Sequence, residues 1–342
     1  MDYRPLGRSG ASVSSLCLGT MTFGAESSEE VSHAQLDAFV AAGGTLVDTA
    51  DVYTAGVSET IIGRWLATRP AEVRDRVVLA TKGRFPMADE PNGVGNSRRH
   101  LRRALDASLG RLGVDHVDLY QLHAWDPLTP LEETLGFLDD AVRAGKVGYV
   151  GLSNFTGWQV QKAVDLAERW GLSAPVTLQP SYSLLVRDVE LEIVPACEHN
   201  GLGLLPWSPL AGGWLSGKYT KVHRPTGASR LGEDSERGIE AYDRVGARQQ
   251  TWDVLEAVQD GAAQLGVPMA QVALAWLRDR PAVSSVILGA RTLEQLQQNL
   301  AAADLVLPAE LGERLDRVSA PEPADYLYGG PGQDQRNRSL QR

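Results

Sequence analysis

Short apolar segments alternate with amphipathic segments along most of the chain. The apolar segments, such as VVLAT and VDLYQL, are nearly continuous and contain many β-branched residues. Such segments are typical of strands that are buried on both faces of a parallel sheet. They predict eight strands, at residues 15–19, 45–49, 77–82, 117–123, 147–153, 176–182, 203–208 and 283–289.

The amphipathic segments carry apolar residues three to four positions apart, which predicts helices. Helices are expected at residues 28–42, 58–67, 97–112, 131–144, 158–170, 190–199 and 292–302. This alternation of strand and helix favours either an open, doubly wound sheet or a closed barrel. The strand pattern alone does not separate these two folds.

Three segments fall outside the alternation. Residues 1–14 predict a small β-hairpin that turns at GRSG. Residues 211–246 form a polar, Gly-rich stretch that is expected to be a long loop, and residues 321–342 form a polar tail. No Pro-, Gly- or Ser-rich linker divides the chain, so we expect one domain over residues 1–342.

Composition narrows the possible functions. The formal net charge of −10 gives no general attraction to nucleic acids or to anionic membranes. The chain has no apolar run long enough to span a bilayer and no apolar core of a signal peptide at its start, which predicts a cytoplasmic protein. Its two cysteines lie far apart, and its histidines lack metal-ligand spacing, so no metal site is expected.

Polar residues stand at the ends of three consecutive predicted strands. The second strand ends at Asp48, with Tyr53 in the loop that follows it, the third ends at Lys82, and the fourth ends at His123. In a barrel, the carboxyl ends of the strands and the loops after them form the active site. Each residue alone has a structural explanation, such as a cap or a solvated strand end, but all four are expected at one rim.

These four side chains suit the reduction of a carbonyl group. A free phenol has a pKa of about 10, and a nearby ammonium group lowers that value. Lys82 is therefore expected to lower the pKa of Tyr53, and Asp48 to hold Lys82 charged and oriented. His123 is expected to orient the carbonyl oxygen or to share in proton transfer.

The chain resembles the aldo-keto reductase family. The stretch SRRHLRRALDASLGRLGVDHVDLYQLH looks like the family signature, and LGTMTFG, VDTADVY, GLSNF, QPSYS, PWSPLAGGWLSGKY and ILGARTLEQLQQN follow in the family's order. The resemblance covers nearly the whole chain up to about residue 320. It implies a (β/α)₈ TIM barrel, Tyr53 as the general acid supported by Asp48, Lys82 and His123, and a nicotinamide cofactor bound without a Rossmann domain.

The resemblance also implies which residues bind the cofactor. Thr20 and Met21 are expected near the nicotinamide and Tyr182 stacked on it, while Arg291 favours NADPH over NADH because a guanidinium suits the extra phosphate. The other expected cofactor residues are Ser153, Asn154, Gln179, Trp207, Ser208, Pro209, Leu210, Ala211, Gly212, Lys218, Arg230, Gly289, Gln295, Gln298 and Asn299.

The substrate is the least determined feature. The expected pocket wall consists of aromatic residues on the predicted rim loops, namely Phe23, Phe85, Trp125 and Trp214. Such a pocket suits a small-molecule aldehyde or ketone, or a nucleotide-linked keto-sugar. Proteins with this resemblance also include NADPH-binding regulatory subunits of potassium channels, which is the alternative function. The oligomeric state is not indicated by the sequence.

Overall fold

The computed structural model describes residues 1–221, 242–322 and 328–329. Within these ranges the strands are β1 Tyr3–Pro5, β2 Ser12–Ser14, β3 Leu16–Gly19, β4 Leu46–Asp48, β5 Val78–Gly83, β6 Val117–Leu122, β7 Val147–Ser153, β8 Thr177–Gln179, β9 Gly203–Leu204 and β10 Val286–Leu288. The helices are α1 Glu29–Ala41, α2 Val57–Ala67, α3 Ala71–Arg74, α4 Arg98–Leu112, α5 Leu131–Arg143, α6 Gly157–Trp170, α7 Val189–Asn200, α8 Tyr242–Gly246, α9 Gln249–Leu265, α10 Met269–Arg278, α11 Leu293–Leu300 and α12 Ala309–Val318.

Strands β3 to β10 form one parallel sheet. Its order is β10-β3-β4-β5-β6-β7-β8-β9, so each strand from β3 to β9 pairs with its sequence neighbour and β10 pairs with β3. The two ends of the sheet meet where Leu204 N donates to Ala282 O at 2.7 Å and Ser284 N donates to Leu204 O at 2.9 Å. The sheet therefore curls round on itself, and the predicted (β/α)₈ fold is confirmed.

Several strands are shorter than the sequence pattern predicts. The apolar runs at 176–182 and 203–208 continue beyond β8 and β9, but Pro180 and Pro206 interrupt them. Proline has no N–H group to donate to a neighbouring strand. The regular pairing therefore ends just before each proline, although Trp207 N still donates to Pro180 O at 3.0 Å.

Helices α9, α10 and α12 were not predicted from the sequence. Helix α9 buries Val254, Leu255 and Val258 on one face, so the apolar periodicity of a helix is present there. Helices α9 and α10 follow each other with no strand between them, which departs from a strict strand-helix alternation. Helix α9 spans 17 residues, and none of the helices in the described ranges is long and apolar enough to cross a bilayer.

The predicted loop at 211–246 is only partly described. Its first residues form a 3₁₀ turn at Ala211–Ser216, and its last residues form helix α8. Residues 222–241, which include the proposed cofactor residue Arg230, lie outside the described ranges, as does most of the tail at 321–342.

The N-terminal hairpin of β1 and β2 lies against the amino-terminal ends of the barrel strands. Leu6 and Val13 pack in one buried cluster with Cys17, Leu46 and other residues of the barrel strands. A Cβ atom at Gly7 would lie 1.9 Å from Val176 O, and Gly7 has a φ of +57°. Only glycine fits this close approach, which brings the hairpin directly under the barrel. The predicted hairpin is confirmed.

Candidate active site

A buried ion pair lies at the carboxyl ends of β4 and β5. Asp48 is the last residue of β4, and Lys82 is the penultimate residue of β5. Lys82 Nζ donates to Asp48 Oδ2 at 2.5 Å, and both side chains are almost fully shielded from solvent, with exposed fractions of 0% and 2%. A charge that is buried this deeply needs a partner and further hydrogen bonds to be stable.

Tyr53 completes the contacts of the Lys82 amine. Lys82 Nζ also donates to Thr49 O at 2.9 Å and to the Tyr53 hydroxyl at 3.3 Å. Tyr53 opens a tight turn after β4 in which Thr54 and Ala55 have φ values of +49° and +52°. Residues other than glycine rarely adopt this conformation, so the turn holds the phenol at the ammonium group at some cost in backbone strain.

Two amide side chains satisfy the second oxygen of Asp48. Gln121 Nε2 and Gln179 Nε2 each donate to Asp48 Oδ1 at 2.9 Å, and Gln179 Nε2 also lies 3.3 Å from Gln121 Oε1. Gln121 was not among the site residues predicted from the sequence. The signal that points to it is a glutamine inside the otherwise apolar strand VDLYQL, since a buried amide must be hydrogen-bonded.

His123 follows β6 and faces Tyr53. Its ring lies edge-on to Tyr53, with ring centroids 5.8 Å apart, and its other neighbour is Phe85, at 4.6 Å. Burial, together with the positive charges of Lys82 and Arg84, holds the pKa of His123 well below its usual range. The imidazole is therefore neutral near pH 7. Its buried Nδ1 has no hydrogen-bond partner within the described residues.

The ionisation of Tyr53 differs from the sequence-based expectation. Burial raises the pKa of Tyr53, and the charge of Lys82 offsets this only in part because Asp48 opposes it. Lys82 lowers the Tyr53 pKa as expected, but burial outweighs this effect, so the expected net lowering is wrong. Burial alone would lower the pKa of Lys82, but Asp48 and Tyr53 raise it above its ordinary value, so the amine stays charged.

This arrangement can donate a proton to an oxygen atom. The phenol stays protonated at neutral pH, and a charged amine 3.3 Å from its oxygen would stabilise the phenolate left after proton transfer. The structure thus brings together all four predicted residues, Asp48, Tyr53, Lys82 and His123, around one group of contacts.

The residues expected around a nicotinamide lie at the same end of the barrel. Thr20 is buried and its hydroxyl donates to Asp48 O at 3.0 Å, whereas Met21 is exposed. Ser153 Oγ donates to Gln179 O at 3.0 Å, and Asn154 Nδ2 donates to His123 O at 3.0 Å. Asn154 therefore ties the end of β7 to His123.

The stacking role expected for Tyr182 does not fit its position. The Tyr182 ring is buried edge-on against Trp276 at 6.0 Å, and its hydroxyl donates to Glu190 at 2.6 Å. Trp207 instead is only half-buried, and its Nε1 donates to Asn154 Oδ1 at 3.1 Å. Of the two rings, Trp207 is therefore the one that is accessible at this end of the barrel.

The turn after β9 has an unusual backbone. Ser208 and Ala211 have φ values of +53° and +48°, and Gly212 and Gly213 also have positive φ. Ser208, Leu210 and Ala211 are half-buried, Pro209 and Gly212 are buried, and Lys218 is exposed beyond the turn.

The segment after β10 contains the last group of expected cofactor residues. A Cβ atom at Gly289 would meet no heavy atom within 4 Å, so the backbone there faces open space. Arg291 is half-buried, its Nη2 lies 3.9 Å from Glu26 Oε1, and its backbone N donates to Gln295 Oε1 at 3.0 Å. Gln298 is exposed and Asn299 is buried on α11.

Only two of the four expected substrate-pocket aromatics are accessible. Phe85 and Trp125 are half-buried on the loops after β5 and β6. Phe23 and Trp214 are fully buried. Trp214 packs against Tyr219, Tyr242 and Trp252, so it belongs to an aromatic cluster under the loop and not to an open wall.

Comparison with known proteins agrees with this site. The model of the Aldo/keto reductase family matches residues 15–320. The chain is 40% identical to an uncharacterized oxidoreductase, YrpG, from Bacillus subtilis, over 97% of each chain. It is 38% identical to a probable voltage-gated potassium channel subunit beta from Oryza sativa, over 94% of this chain and 96% of that one.

A third relative is L-glyceraldehyde 3-phosphate reductase from Escherichia coli, which is 36% identical over 88% of this chain and 87% of that protein. The family match extends from the first barrel strand, β3, to helix α12, and it includes every side chain of the buried cluster around Lys82. The chain belongs to the aldo/keto reductase family.

Proposed function

We propose that this protein reduces an aldehyde or ketone to an alcohol by NADPH-dependent hydride transfer, with Tyr53 as the general acid. The observation that carries the proposal is the contact of a buried, charged Lys82 with the Tyr53 hydroxyl at 3.3 Å, beside a neutral His123. Asp48 already neutralises the buried ammonium of Lys82, so the added contact with the Tyr53 phenol is not needed for charge balance.

The side chains divide the work of the reaction. Bound NADPH supplies the hydride, and the protein supplies position and electrostatics. His123 holds the carbonyl oxygen near the Tyr53 hydroxyl, which donates the proton. Lys82 stabilises the phenolate that remains, while Asp48, fixed by Gln121 and Gln179, keeps the amine oriented. A positioned general acid of this kind contributes about 10²–10⁴ in rate.

The residues at the rim fit a dinucleotide. The half-exposed ring of Trp207 offers a stacking surface beside Asn154, and the open space before Gly289 leaves room for close backbone approach. The pyrophosphate is assigned to the turn of Ser208–Gly212, and the adenosine to Gln295, Gln298 and Asn299 on α11. Arg291, next to them, offers a guanidinium fork for a phosphate monoester, so NADPH is preferred to NADH.

The names of two relatives point to two different functions. One is called a reductase of a phosphorylated aldehyde, and another a probable channel subunit. A regulatory subunit that binds NADPH without turnover is therefore the second candidate. The presence of all four residues, with Lys82 bonded to Asp48 and Tyr53 and with Tyr53 beside His123, favours the enzyme.

The substitution Tyr53→Phe tests the proposal. It removes the proton donor and keeps the ring, so kcat with an aldehyde such as 4-nitrobenzaldehyde should fall by about 10²–10⁴. The dissociation constant for NADPH, measured by quenching of tryptophan fluorescence, should stay unchanged. Tyr3→Phe is the control, since Tyr3 lies on the hairpin with its hydroxyl on Gly43 O.

Two results would contradict the proposal. One is a Tyr53→Phe variant that consumes NADPH at the wild-type rate. The other is a wild-type protein that binds NADPH but consumes none with a broad panel of aldehydes and ketones, which would favour the regulatory candidate.

A further inference from the structure

Arg84 lies at the mouth of the site and has a strained backbone. It follows Gly83, the last residue of β5, and stands two positions after Lys82. Its φ of +144° lies in a region that residues with a side chain rarely adopt. Its carbonyl accepts a hydrogen bond from Gly95 N at 2.9 Å, which anchors this conformation. A glycine would adopt it at lower cost, so the arginine side chain needs an explanation of its own.

The guanidinium group of Arg84 lies next to the proposed proton-transfer residues. Its Cζ lies 5.0 Å from the centroid of the Phe85 ring, and the other neighbour of that ring is His123, at 4.6 Å. The guanidinium and the imidazole therefore contact the same aromatic ring. The positive charge of Arg84 contributes to the depressed pKa of His123, after burial and Lys82, which agrees with this proximity.

Within the part of the chain that the structure describes, Arg84 lacks a carboxylate partner, in contrast to the partly buried Arg111 and Arg187. Arg111 pairs with Glu59 at 2.7 Å, and Arg187 pairs with Glu190 at 2.7 Å. No carboxylate among the described residues lies within 4.0 Å of the Arg84 guanidinium, and its buried Nε has no hydrogen-bond partner there. Among the described residues, its side chain makes one hydrogen bond, a long contact of 3.4 Å from Nη2 to Trp125 O.

Asp126, a carboxylate that senses the charge of Arg84, is held by other donors. Its oxygens accept hydrogen bonds from Asn96 N, Leu128 N and the Thr129 hydroxyl at 2.8, 3.0 and 2.6 Å. Those contacts fix the loop that carries Trp125. Asp126 therefore does not form an ion pair with Arg84, and the guanidinium keeps donors that no carboxylate of the described residues accepts.

We propose that Arg84 binds an anionic oxygen group of the substrate, so that the enzyme prefers carbonyl compounds that carry a carboxylate or a phosphate. The inference rests on the proposed carbonyl reduction and adds the substrate class to it. With the carbonyl oxygen at Tyr53 and His123, Arg84 lies next to the same Phe85 ring that His123 contacts. The anionic group is therefore expected about one aromatic ring away from the carbonyl carbon.

Matched substrates test this preference. The first pair is 4-carboxybenzaldehyde and its methyl ester, methyl 4-formylbenzoate. The second pair is glyceraldehyde 3-phosphate and glyceraldehyde, which separates phosphate from carboxylate recognition. The wild-type protein should show a higher kcat/KM for the anionic member of at least one pair, by about 10- to 100-fold, since hydrogen bonds to charged groups have this strength.

Substitutions of Arg84 test its role in that preference. Arg84→Gln should lower kcat/KM for the preferred anionic substrate by about 10- to 100-fold, mainly through KM, and leave the neutral partner within about twofold. Arg84→Lys should restore part of the loss because it keeps the charge but not the fork. The control is Arg99→Gln, an exposed arginine on α4.

A binding measurement separates this inference from the proposed function. Calorimetric titration of 4-(hydroxymethyl)benzoate into the NADP⁺-saturated protein reports anion binding without turnover, and Arg84→Gln should weaken it by the same factor. If the protein consumes NADPH with none of these substrates, the reductase proposal is contradicted, but this titration still tests whether Arg84 binds the anion.

Three results would overturn the role of Arg84. The first is a wild-type preference for the neutral member of both pairs. The second is an equal loss with anionic and neutral substrates in Arg84→Gln, which indicates a structural role. The third is a weaker NADPH affinity in that variant, which would assign Arg84 to the cofactor.

Discussion

Asp48 and Asp51 lie three positions apart, and both carboxylates are buried, but their surroundings differ. Asp48 accepts hydrogen bonds from Lys82, Gln121 and Gln179. Both side-chain oxygens of Asp51 lack a hydrogen-bond partner within the described residues. Burial and the nearby Glu59 raise the pKa of Asp51 to about 7. A carboxylic acid at this position is thus largely neutral below neutral pH, whereas Asp48 has hydrogen-bonding partners suited to a carboxylate.

The pKa of Asp51 makes stability depend on pH. Because this pKa is higher in the folded state, the folded protein retains a proton that the unfolded chain has lost, and stability falls as pH rises from about 4 to about 7. Asp51→Asn removes this penalty. Relative to wild type, the free energy of unfolding of the variant should rise by about 2–3 kcal/mol between pH 5 and pH 8.

Urea denaturation at pH 5 and pH 8 measures this difference. Asp75→Asn, at an exposed position, is the control and should show no such dependence. An identical difference between Asp51→Asn and wild type at both pH values would show that Asp51 does not titrate in this range.

The position of Tyr182 illustrates a limit of reading single residues from sequence. Tyr182 and Trp207 both follow barrel strands, so either aromatic satisfies the pattern. The structure distinguishes them because Trp276 of α10 packs against Tyr182 and buries it. Trp214 is similar, since Trp252 of α9 and Tyr242 of α8 cover it. Both placements depend on helices that the sequence analysis had not predicted.

The sequence did predict the catalytic candidates Asp48, Tyr53, Lys82 and His123, for a different reason. They lie at the ends of consecutive parallel strands, and strand order fixes which ends are neighbours. Arg84 and Gln121 carry no such signal alone, because their importance depends on which partners they have or lack. Contacts of this kind require the packed structure.

Helices α2 and α4 cross at a point where the backbones nearly touch. A Cβ atom at Gly63 of α2 would lie 2.4 Å from Arg111 O and 2.8 Å from Leu112 C. The same crossing is bridged by Arg111, which pairs with Glu59 at 2.7 Å. The absence of a side chain at Gly63 therefore allows both the close packing and the ion pair.

Gly63→Ala should destabilise the protein. The added methyl group meets backbone atoms, which cannot move as a flexible side chain does, and overpacking of this kind costs about 1–3 kcal/mol. Gly110→Ala on α4 is the matched control, because nothing lies within 4 Å of its Cβ position. That control should gain about 0.5–1 kcal/mol from helix propensity.

The midpoints of urea denaturation of both variants provide the measurement. Equal effects of the two substitutions would contradict close packing at the α2–α4 crossing. The pair also separates helix propensity from packing, since both changes are glycine to alanine within a helix.

Elements were predictable where local pattern and fold agree. The strand β7 at Val147–Ser153 matches its predicted bounds, because its apolar run ends at the start of a capped helix. The lengths of β8 and β9 were overestimated because a hydrophobicity pattern carries no information on the missing N–H groups of Pro180 and Pro206. Hydrophobic periodicity thus locates a strand, and hydrogen-bonding capacity sets its length.

The seam between β10 and β3 links the proposed cofactor site to the closure of the whole barrel. Thr22 Oγ1 donates to Ala290 O at 3.0 Å, and Ser27 Oγ donates to Arg291 O at 3.0 Å, so the loops that follow β3 and β10 are bonded together. A dinucleotide phosphate bound at Arg291 would add contacts at this seam. Its binding energy should therefore appear as stability of the complete fold.

NADPH should raise the free energy of unfolding by about 2.7 kcal/mol at a concentration one hundred times its dissociation constant. Arg291→Ala should remove most of the difference between the stabilisation by NADPH and that by NADH, because it removes the partner of the extra phosphate. Thermal denaturation with each cofactor at one fixed concentration measures this. NADH with the same variant is the control, and equal NADPH dissociation constants for the variant and the wild type would refute the assignment.

The hairpin beneath the barrel limits how ligands enter and leave the site. Leu6 and Val13 fill the amino-terminal end together with the lowest layer of strand residues, so the enclosure around Lys82 has a closed floor. A ligand that reaches Tyr53 from the rim of the barrel must therefore leave through the same opening. In the proposed reaction, the alcohol product therefore has to leave through this opening before the next substrate enters, and a ligand bound above the product would slow its release.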